Sequence, residues 1–136
     1  MTITTQSTTF EKLFWTWKDY KIQYTVMGTG QPLVLIHGFG ASIGHWKKNI
    51  PVLAEAGYQV FALDLLGFGG SDKAPIEYSV DLWVELIKDF WSEHIKQPAV
   101  FIGNSVGALI SLTIAVEHPE ITTGAVLINA AGGLSH

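Results

Sequence analysis

Ala99-Val100-Phe101-Ile102-Gly103-Asn104-Ser105-Val106-Gly107-Ala108-Leu109-Ile110 is the stretch on which the reading of this chain turns. Its first part, Ala99 to Ile102, is a short apolar run entered from Pro98, the pattern of a strand buried on both faces. Its second part continues to Val116 as an apolar run of helix length, closed by Glu117-His118-Pro119. Between them stands Gly103-x-Ser105-x-Gly107, a nucleophile-elbow pattern. A strand that turns at once into a helix forces the residue at the corner into a strained backbone conformation. Side chains two residues to either side would collide, so both flanking positions need glycine. The corner then lifts the Ser105 hydroxyl clear of the sheet and leaves the Val106 N–H free at a helix start, placed to stabilise an oxyanion. The plainer alternative is a tight strand–helix turn whose serine only caps the helix.

Composition narrows the class. The chain has 136 residues, one domain's length, and is 48% hydrophobic and 15% charged. Residues 1–9 are polar and threonine-rich, without the basic start and apolar centre of a signal peptide; they read as a frayed tail, with residues 10–136 as the folded part. The net charge is −4, and all eight basic residues are lysine. With no arginine and no basic run, nucleic acid is not an expected partner. The absence of cysteine fits a reducing compartment, so a cytoplasmic protein is expected. Gln97 to Val116 carries no charge and is long enough to suggest a membrane span, but Gly103, Asn104, Ser105 and Gly107 interrupt its middle. A buried strand–turn–helix is the better reading.

The rest of the chain alternates. Lys12 to Met27 reads as a hairpin with its turn at Lys18-Asp19-Tyr20, one wet side, and Ile22, Tyr24 and Val26 on a shared face. Leu33 to Ile36 is a strand covered on both faces, ending in the glycine-rich loop His37-Gly38-Phe39-Gly40-Ala41-Ser42. Ile43, Trp46 and Ile50 follow at helical spacing; Pro51 starts a fresh turn and Gly57 ends the helix. Gln59 to Leu63 is a strand that ends at Asp64, before a second glycine-rich loop, Leu65 to Asp72. Asp64 is either a catalytic acid or, as the pattern favours, the residue that binds loop N–H groups and fixes the loop. Ser79 is a good N-cap for an amphipathic helix reaching about His94, with Val80, Trp83, Leu86, Ile87, Phe90 and Trp91 as its apolar stripe. Gly124 to Ile128 is a last strand. Such alternation implies an α/β fold: a mostly parallel sheet of about six strands, helices on both faces, and an antiparallel N-terminal hairpin. Ligands bind beyond the carboxyl ends of such strands, where His37, Asp64 and Ser105 all fall.

Three patterns in this order resemble the α/β-hydrolase family: His37-Gly38-Phe39-Gly40, Asp64-x-x-Gly67-x-Gly69-x-Ser71, and Gly103-Asn104-Ser105-Val106-Gly107. The resemblance runs from about Phe10 onward. It implies a serine hydrolase with Ser105 as nucleophile and the Phe39 and Val106 N–H groups as oxyanion hole. His37, Gly38, Gly40, Asp64, Gly103, Asn104 and Gly107 would shape the site. No cofactor or metal is implied. Asn104 before the serine is similar to the esterase, C–C hydrolase and pheophytinase-like branches. Haloalkane dehalogenases and epoxide hydrolases would carry aspartate where Ser105 stands.

In that family the acid and the histidine follow the serine, after the seventh and eighth strands. Beyond Ser105 this chain offers only Glu117, Glu120, His118 and His136. Glu117 and His118 lie roughly 15–20 Å away at the far end of a helix rising 1.5 Å per residue. His37 is near the site but resembles a loop-shaping residue, and His45 and His94 read as surface residues. After Glu120 no side chain is formally charged. The chain is therefore expected to be the amino-terminal part of a hydrolase, lacking a cap, the last two strands and two triad members, and inactive or weakly active alone. Its substrate would be a small acyl-type molecule, with Phe39, Trp46 and Phe68 hinting at an apolar pocket. The alternative is a non-catalytic binding or scaffold module that self-associates or pairs with a second chain through an open sheet edge.

Overall fold

The computed structural model describes residues 10–130. The chain forms β1 (Leu13–Trp17), β2 (Tyr20–Met27), β3 (Gln31–Ile36), a 3-10 turn (Ile43–Trp46), α1 (Asn49–Glu55), β4 (Tyr58–Leu63), α2 (Val80–Phe90) and a π turn (Trp91–Ile95). Then come β5 (Ala99–Asn104), α3 (Val106–Glu117), a short 3-10 turn (Pro119–Ile121) and β6 (Thr122–Ile128). One sheet holds these strands in the order β1-β2-β4-β3-β5-β6. β1 and β2 run antiparallel to their neighbours, while β4, β3, β5 and β6 are parallel.

Alternation along the central strands divides the core in two. Val34, Ile36, Phe61, Leu63 and Phe101 face α2 and α3, together with Leu86, Ile87 and Phe90. Leu33, Leu35, Val60 and Ala62 face the other way, onto Ile43, Trp46 and Ile50. Unbroken apolar runs in β3 and β4 are thus the consequence of cover on both faces. α2 starts as expected: the Ser79 hydroxyl accepts from the Leu82 N–H at 3.1 Å. Its α-helical part ends earlier than expected, at Phe90, and the chain widens into the π turn, which Lys96 closes with a left-handed φ of 61°.

Two expectations need correction. The hairpin turns at Lys18 and Asp19, both with positive φ, but its second face is not simply wet. Thr25 is buried and Gln23 reaches inward, because the β4–α2 loop folds over that edge of β2. Nor is His94 a surface residue. Its ring is half-buried among Trp15, Tyr24 and Phe90, at centroid distances of 5.4, 5.0 and 4.6 Å, and its Nε2 has no hydrogen-bond partner. The π turn carries it inward.

Topology already locates a site. From β3 the chain moves first to β4 on one side and later to β5 on the other, so strand order reverses at β3. A crevice opens where the order reverses, outside the carboxyl ends of β3 and β5. Those ends continue into the His37–Ser42 loop and into Ser105. At the far side β6 pairs only with β5 among the described residues, and Val126, Leu127 and Ile128 remain exposed. No helix among the described residues is long and apolar enough to cross a membrane.

Candidate active site

Ser105 has φ 61° and ψ −119°, a conformation that costs a non-glycine residue about 1–3 kcal/mol. Its surroundings over-determine it. The Ser105 N–H donates to the Ile128 carbonyl at 2.9 Å, and its carbonyl accepts from the Ala108 and Leu109 N–H groups at 2.9 and 3.3 Å. The chain therefore leaves β5 and enters α3 with Ser105 as the single intervening residue. The serine side chain is exposed and makes no cap hydrogen bond to α3, so it is not there as a helix cap.

The flanking glycines are required by backbone, not by side chains. A Cβ on Gly103 would overlap the Gly107 carbonyl; a Cβ on Gly107 would overlap the Ile36 carbonyl and stand 2.8 Å from that of His37. Across the crevice, a Cβ on Gly38 would lie 3.1 Å from both the Asn104 carbonyl and Ser105 Cβ. The loop after β3 and the elbow after β5 thus touch backbone to backbone. Gly40 is different: nothing lies within 4 Å of its missing Cβ, but its φ is +78°. Among the described residues the Phe39 N–H donates to no backbone carbonyl, and Val106, first in α3, has no intrahelical acceptor.

His37 and Asp64 stand at the same rim but face inward. The buried His37 ring accepts the Leu65 N–H on Nε2 at 3.0 Å, so the proton sits on Nδ1, 2.7 Å from the Gly38 carbonyl. Burial pushes its pKa below the ordinary 6.5, against the opposing pull of the Gly38 carbonyl and Asp64. A ring whose basic nitrogen is already occupied cannot take a proton from Ser105. Asp64, 1% exposed, accepts three N–H groups: Ile43 at 2.7 Å, Gly70 at 2.8 Å and the Gln23 amide at 2.8 Å. It ties β2, the 3-10 turn and the β4–α2 loop together. Ser71 adds to the tie, donating to the Asp64 carbonyl at 2.6 Å and accepting the Gln23 N–H at 2.9 Å.

Neither Gln23 nor Asn129 is marked by the sequence pattern. Gln23 is a polar residue on a strand face that the alternation assigns to water. Asn129, just past β6, has φ 56°, and its Nδ2 donates to Asn104 Oδ1 at 2.9 Å. With the Ser105–Ile128 bond, this braces the elbow on β6 at two points.

The remaining candidates separate. Glu117 and His118 lie at the far end of α3, and His118 pairs with Glu120 at 3.6 Å. His45 is exposed, and His136 lies outside the described residues, as do residues 1–9. Trp46 is buried in the α1-side core, while Phe39 and Phe68 meet edge to face at 5.2 Å. A cavity of about 380 Å³ lies away from Ser105, on the β2 flank, lined by Gln23, Thr25, Ile43, Lys47, Asp64 and Gly70 among others. Among the described residues no group of three or more His, Asp and Glu side chains could hold a metal ion.

Known proteins are similar to this chain in sequence and fold. The family model for the alpha/beta hydrolase fold matches residues 31–135. The chain is 40% identical over 114 residues to 2-hydroxy-6-oxo-6-(2'-aminophenyl)hexa-2,4-dienoic acid hydrolase of Metapseudomonas resinovorans, covering 81% of this chain and 39% of that one. It is 35% identical over 102 residues to bifunctional epoxide hydrolase 2 of Rattus norvegicus, covering 74% and 18%. The crystal structure of a serine hydrolase involved in carbazole degradation (CarC enzyme) superposes with a TM-score of 0.78 at 34% identity, covering 88% of this chain and 47% of that one. The chain spans less than half the length of these relatives. With the strand order, the glycine-cradled elbow and the family match all pointing one way, the chain belongs to the α/β-hydrolase fold family.

Proposed function

We propose that Ser105 is the nucleophile of an acyl-transfer hydrolase and that the Phe39 and Val106 N–H groups form its oxyanion hole. The observation that carries this reading is the strained Ser105 backbone, held by two glycines and two hydrogen-bonded neighbours with its hydroxyl left free of any capping role. Strain of this kind persists where geometry matters to chemistry. Ser105 Oγ would attack the carbonyl carbon of an ester or similar acyl compound. Its proton would pass to a general base and negative charge would collect on the former carbonyl oxygen; collapse would break the bond to the leaving alcohol, which takes the proton back from the base, and water activated by the same base would then release the acyl group as the acid and restore Ser105. His37 is excluded as that base by its bond to Leu65. The base and its orienting acid therefore belong to chain beyond the described residues, and residues 10–130 form the nucleophile-bearing part of one hydrolase domain. A relative named a serine hydrolase supports the choice of chemistry, whereas the epoxide hydrolase match does not distinguish branches.

The test is turnover of an activated ester such as p-nitrophenyl acetate. The 136-residue chain should hydrolyse it slowly, far below a complete enzyme, and mass spectrometry should find an acetyl group on Ser105 that the Ser105→Ala variant lacks. Removing triad members leaves roughly 10³–10⁴-fold over water in well-studied serine enzymes, through oxyanion and binding contributions alone. Full enzymatic rates from this chain, or the absence of an acetyl group on Ser105, would contradict the proposal.

A second reading rests on the exposed Val126, Leu127 and Ile128 beside an edge strand unpaired among the described residues. Such an edge suits a non-catalytic module that pairs with another chain. Sedimentation distinguishes it: self-association unaffected by Ser105→Ala, with no esterase activity at all, would favour the scaffold.

A further inference from the structure

We infer that Gln23, on β2, is a positioning residue for the proposed oxyanion hole: its side-chain amide sets the Asp64 carboxylate, and with it the loop that carries the Phe39 N–H. This rests on the proposed function and adds to it a residue remote from Ser105, with β4 and β3 between its strand and β5. The Gly38 carbonyl and the Phe39 N–H belong to one peptide unit and point in opposite directions across a trans bond. Whatever holds the carbonyl therefore aims the N–H. The carbonyl is held twice, by His37 Nδ1 at 2.7 Å and by the Ala41 N–H at 3.1 Å. The loop in turn hangs on two consecutive residues. At its start His37 Nε2 accepts the Leu65 N–H at 3.0 Å; at its end the Ile43 N–H donates to Asp64 Oδ1 at 2.7 Å.

Gln23 locates that pair of residues. Its carbonyl accepts the Asp64 N–H at 2.9 Å, its N–H donates to Ser71 Oγ at 2.9 Å, and its Nε2 donates to Asp64 Oδ2 at 2.8 Å. The first two bonds use the Gln23 backbone, which any residue other than proline supplies. Only the third depends on the side chain. Together with the Gly70 N–H at 2.8 Å it occupies Oδ2 and keeps Oδ1 turned to Ile43. With that donor removed, a buried oxygen is left short of a partner, and the carboxylate re-aims at the expense of its bond to Ile43. The second glycine-rich loop is shaped around the same contact. A Cβ on Gly69 would overlap the Asp64 carboxylate, and one on Gly70 would overlap the Gln23 amide. Gly70 has no positive φ, so its backbone conformation does not call for glycine. The room taken by the Gln23 amide does. That amide is the far end of a flexible side chain, so a methyl group at position 70 displaces it and breaks its bond to Asp64.

The experiment measures the rate at which a fluorophosphonate labels Ser105 in the full chain, together with nitrogen–proton NMR of its backbone amides. Gln23→Leu should slow labelling roughly tenfold, short of the roughly 10²–10³-fold cost of deleting an oxyanion donor outright. It should shift the Phe39 and Ile43 amides. Gly70→Ala should reproduce both effects, and the double variant should label no more slowly than either single one, because both changes break one contact. Gln23→Glu adds a pH signature. Two adjoining carboxyl groups share a proton in acid, so at about pH 5 the new side chain donates to Asp64 as the amide did, and at about pH 9 it repels it. The labelling rate relative to wild type should therefore fall roughly tenfold between those two pH values. Glu11, Lys12 and Lys47 line the same cavity, and Asp72 follows Ser71 in the loop beside it; all four are present in both chains, so the ratio isolates the new pair. A merely structural Gln23 would lower stability in urea and leave the Phe39 amide and the pH dependence of the ratio where they were. That result, or wild-type labelling rates in Gln23→Leu and Gly70→Ala, would overturn the inference while the role of Ser105 stands. A wild-type chain that never labels at Ser105 would instead remove the nucleophile, and the oxyanion role of Phe39 with it.

Discussion

Replacing Gly107 with alanine sets two known magnitudes against each other. Gly107 is the second residue of α3, and in a helix alanine is favoured over glycine by about 1 kcal/mol. Local propensity alone therefore predicts a more stable protein. The tertiary structure predicts the reverse, because the new Cβ would overlap the Ile36 carbonyl at the end of β3 and approach that of His37 to 2.8 Å. These are backbone atoms of a central strand, so no rotamer change relieves the contact. Overpacking typically costs about 1–3 kcal/mol, and immovable neighbours put this site at or above the upper end. The net expectation is a loss of about 2 kcal/mol or more after the propensity gain is subtracted. Gly40→Ala is the control. Its site has open space but a φ of +78°, so it should lose only the left-handed penalty, about 1–2 kcal/mol. Urea unfolding followed by tryptophan fluorescence measures both. Gly107→Ala at or above wild-type stability would refute the close approach of α3 to β3, and with it the cradle that fixes Ser105.

Other consequences follow from named contacts. Asp64→Asn should destabilise the fold by about 2–4 kcal/mol, because an amide nitrogen would face the Gly70 and Gln23 donors; urea unfolding should show it, and a change within 0.5 kcal/mol would deny the tie. Burial lowers the pKa of both His37 and His94 below 6.5, so the unfolded chain binds more protons than the folded one just below that pH. Their contribution to stability should be complete above about pH 6.5 and decline as pH falls through the lowered folded values; His37→Asn should flatten the decline, and an unchanged slope would count against it. His94→Phe should raise the thermal midpoint, since it removes a buried Nε2 without a partner from an aromatic cluster at a gain of about 1 kcal/mol; a lowered midpoint would show that the nitrogen is satisfied. Asn129→Ala should lower ester turnover severalfold with little effect on unfolding, because its hydrogen bond to Asn104 is exposed and braces the elbow; unchanged turnover would make the bond incidental.

Much of this architecture is legible in the residues because local and global demands agree. The apolar runs of β3 and β4, the Ser79 cap and the stripe of α2 each specify one element, and their order specifies the sheet. Gly103 and Gly107 announce the elbow because no other residue type fits. Legibility fails where a residue's role is set by something distant in sequence. Gln23 reads as a wet strand residue until the loop 41 positions later presents Asp64 to its amide. Asn129 becomes a neighbour of Asn104 only when β6 pairs with β5. His94 lies in a polar stretch, Ser92-Glu93-His94, and only the widening of the helix into a π turn brings it under Trp15.

The most direct test of the central claim is the site selectivity of a fluorophosphonate, read by mass spectrometry of the labelled chain. Ser79 and Ser92 are exposed, as Ser105 is, but Ser79 caps α2 in an extended conformation and Ser92 lies in the π turn, both with negative φ, and so they serve as internal references. If backbone strain and two free amide hydrogens activate one serine, the adduct should form on Ser105 at least about 100-fold faster than on either reference, the scale of a single oxyanion donor. Comparable labelling of Ser79, Ser92 and Ser105 would contradict the account.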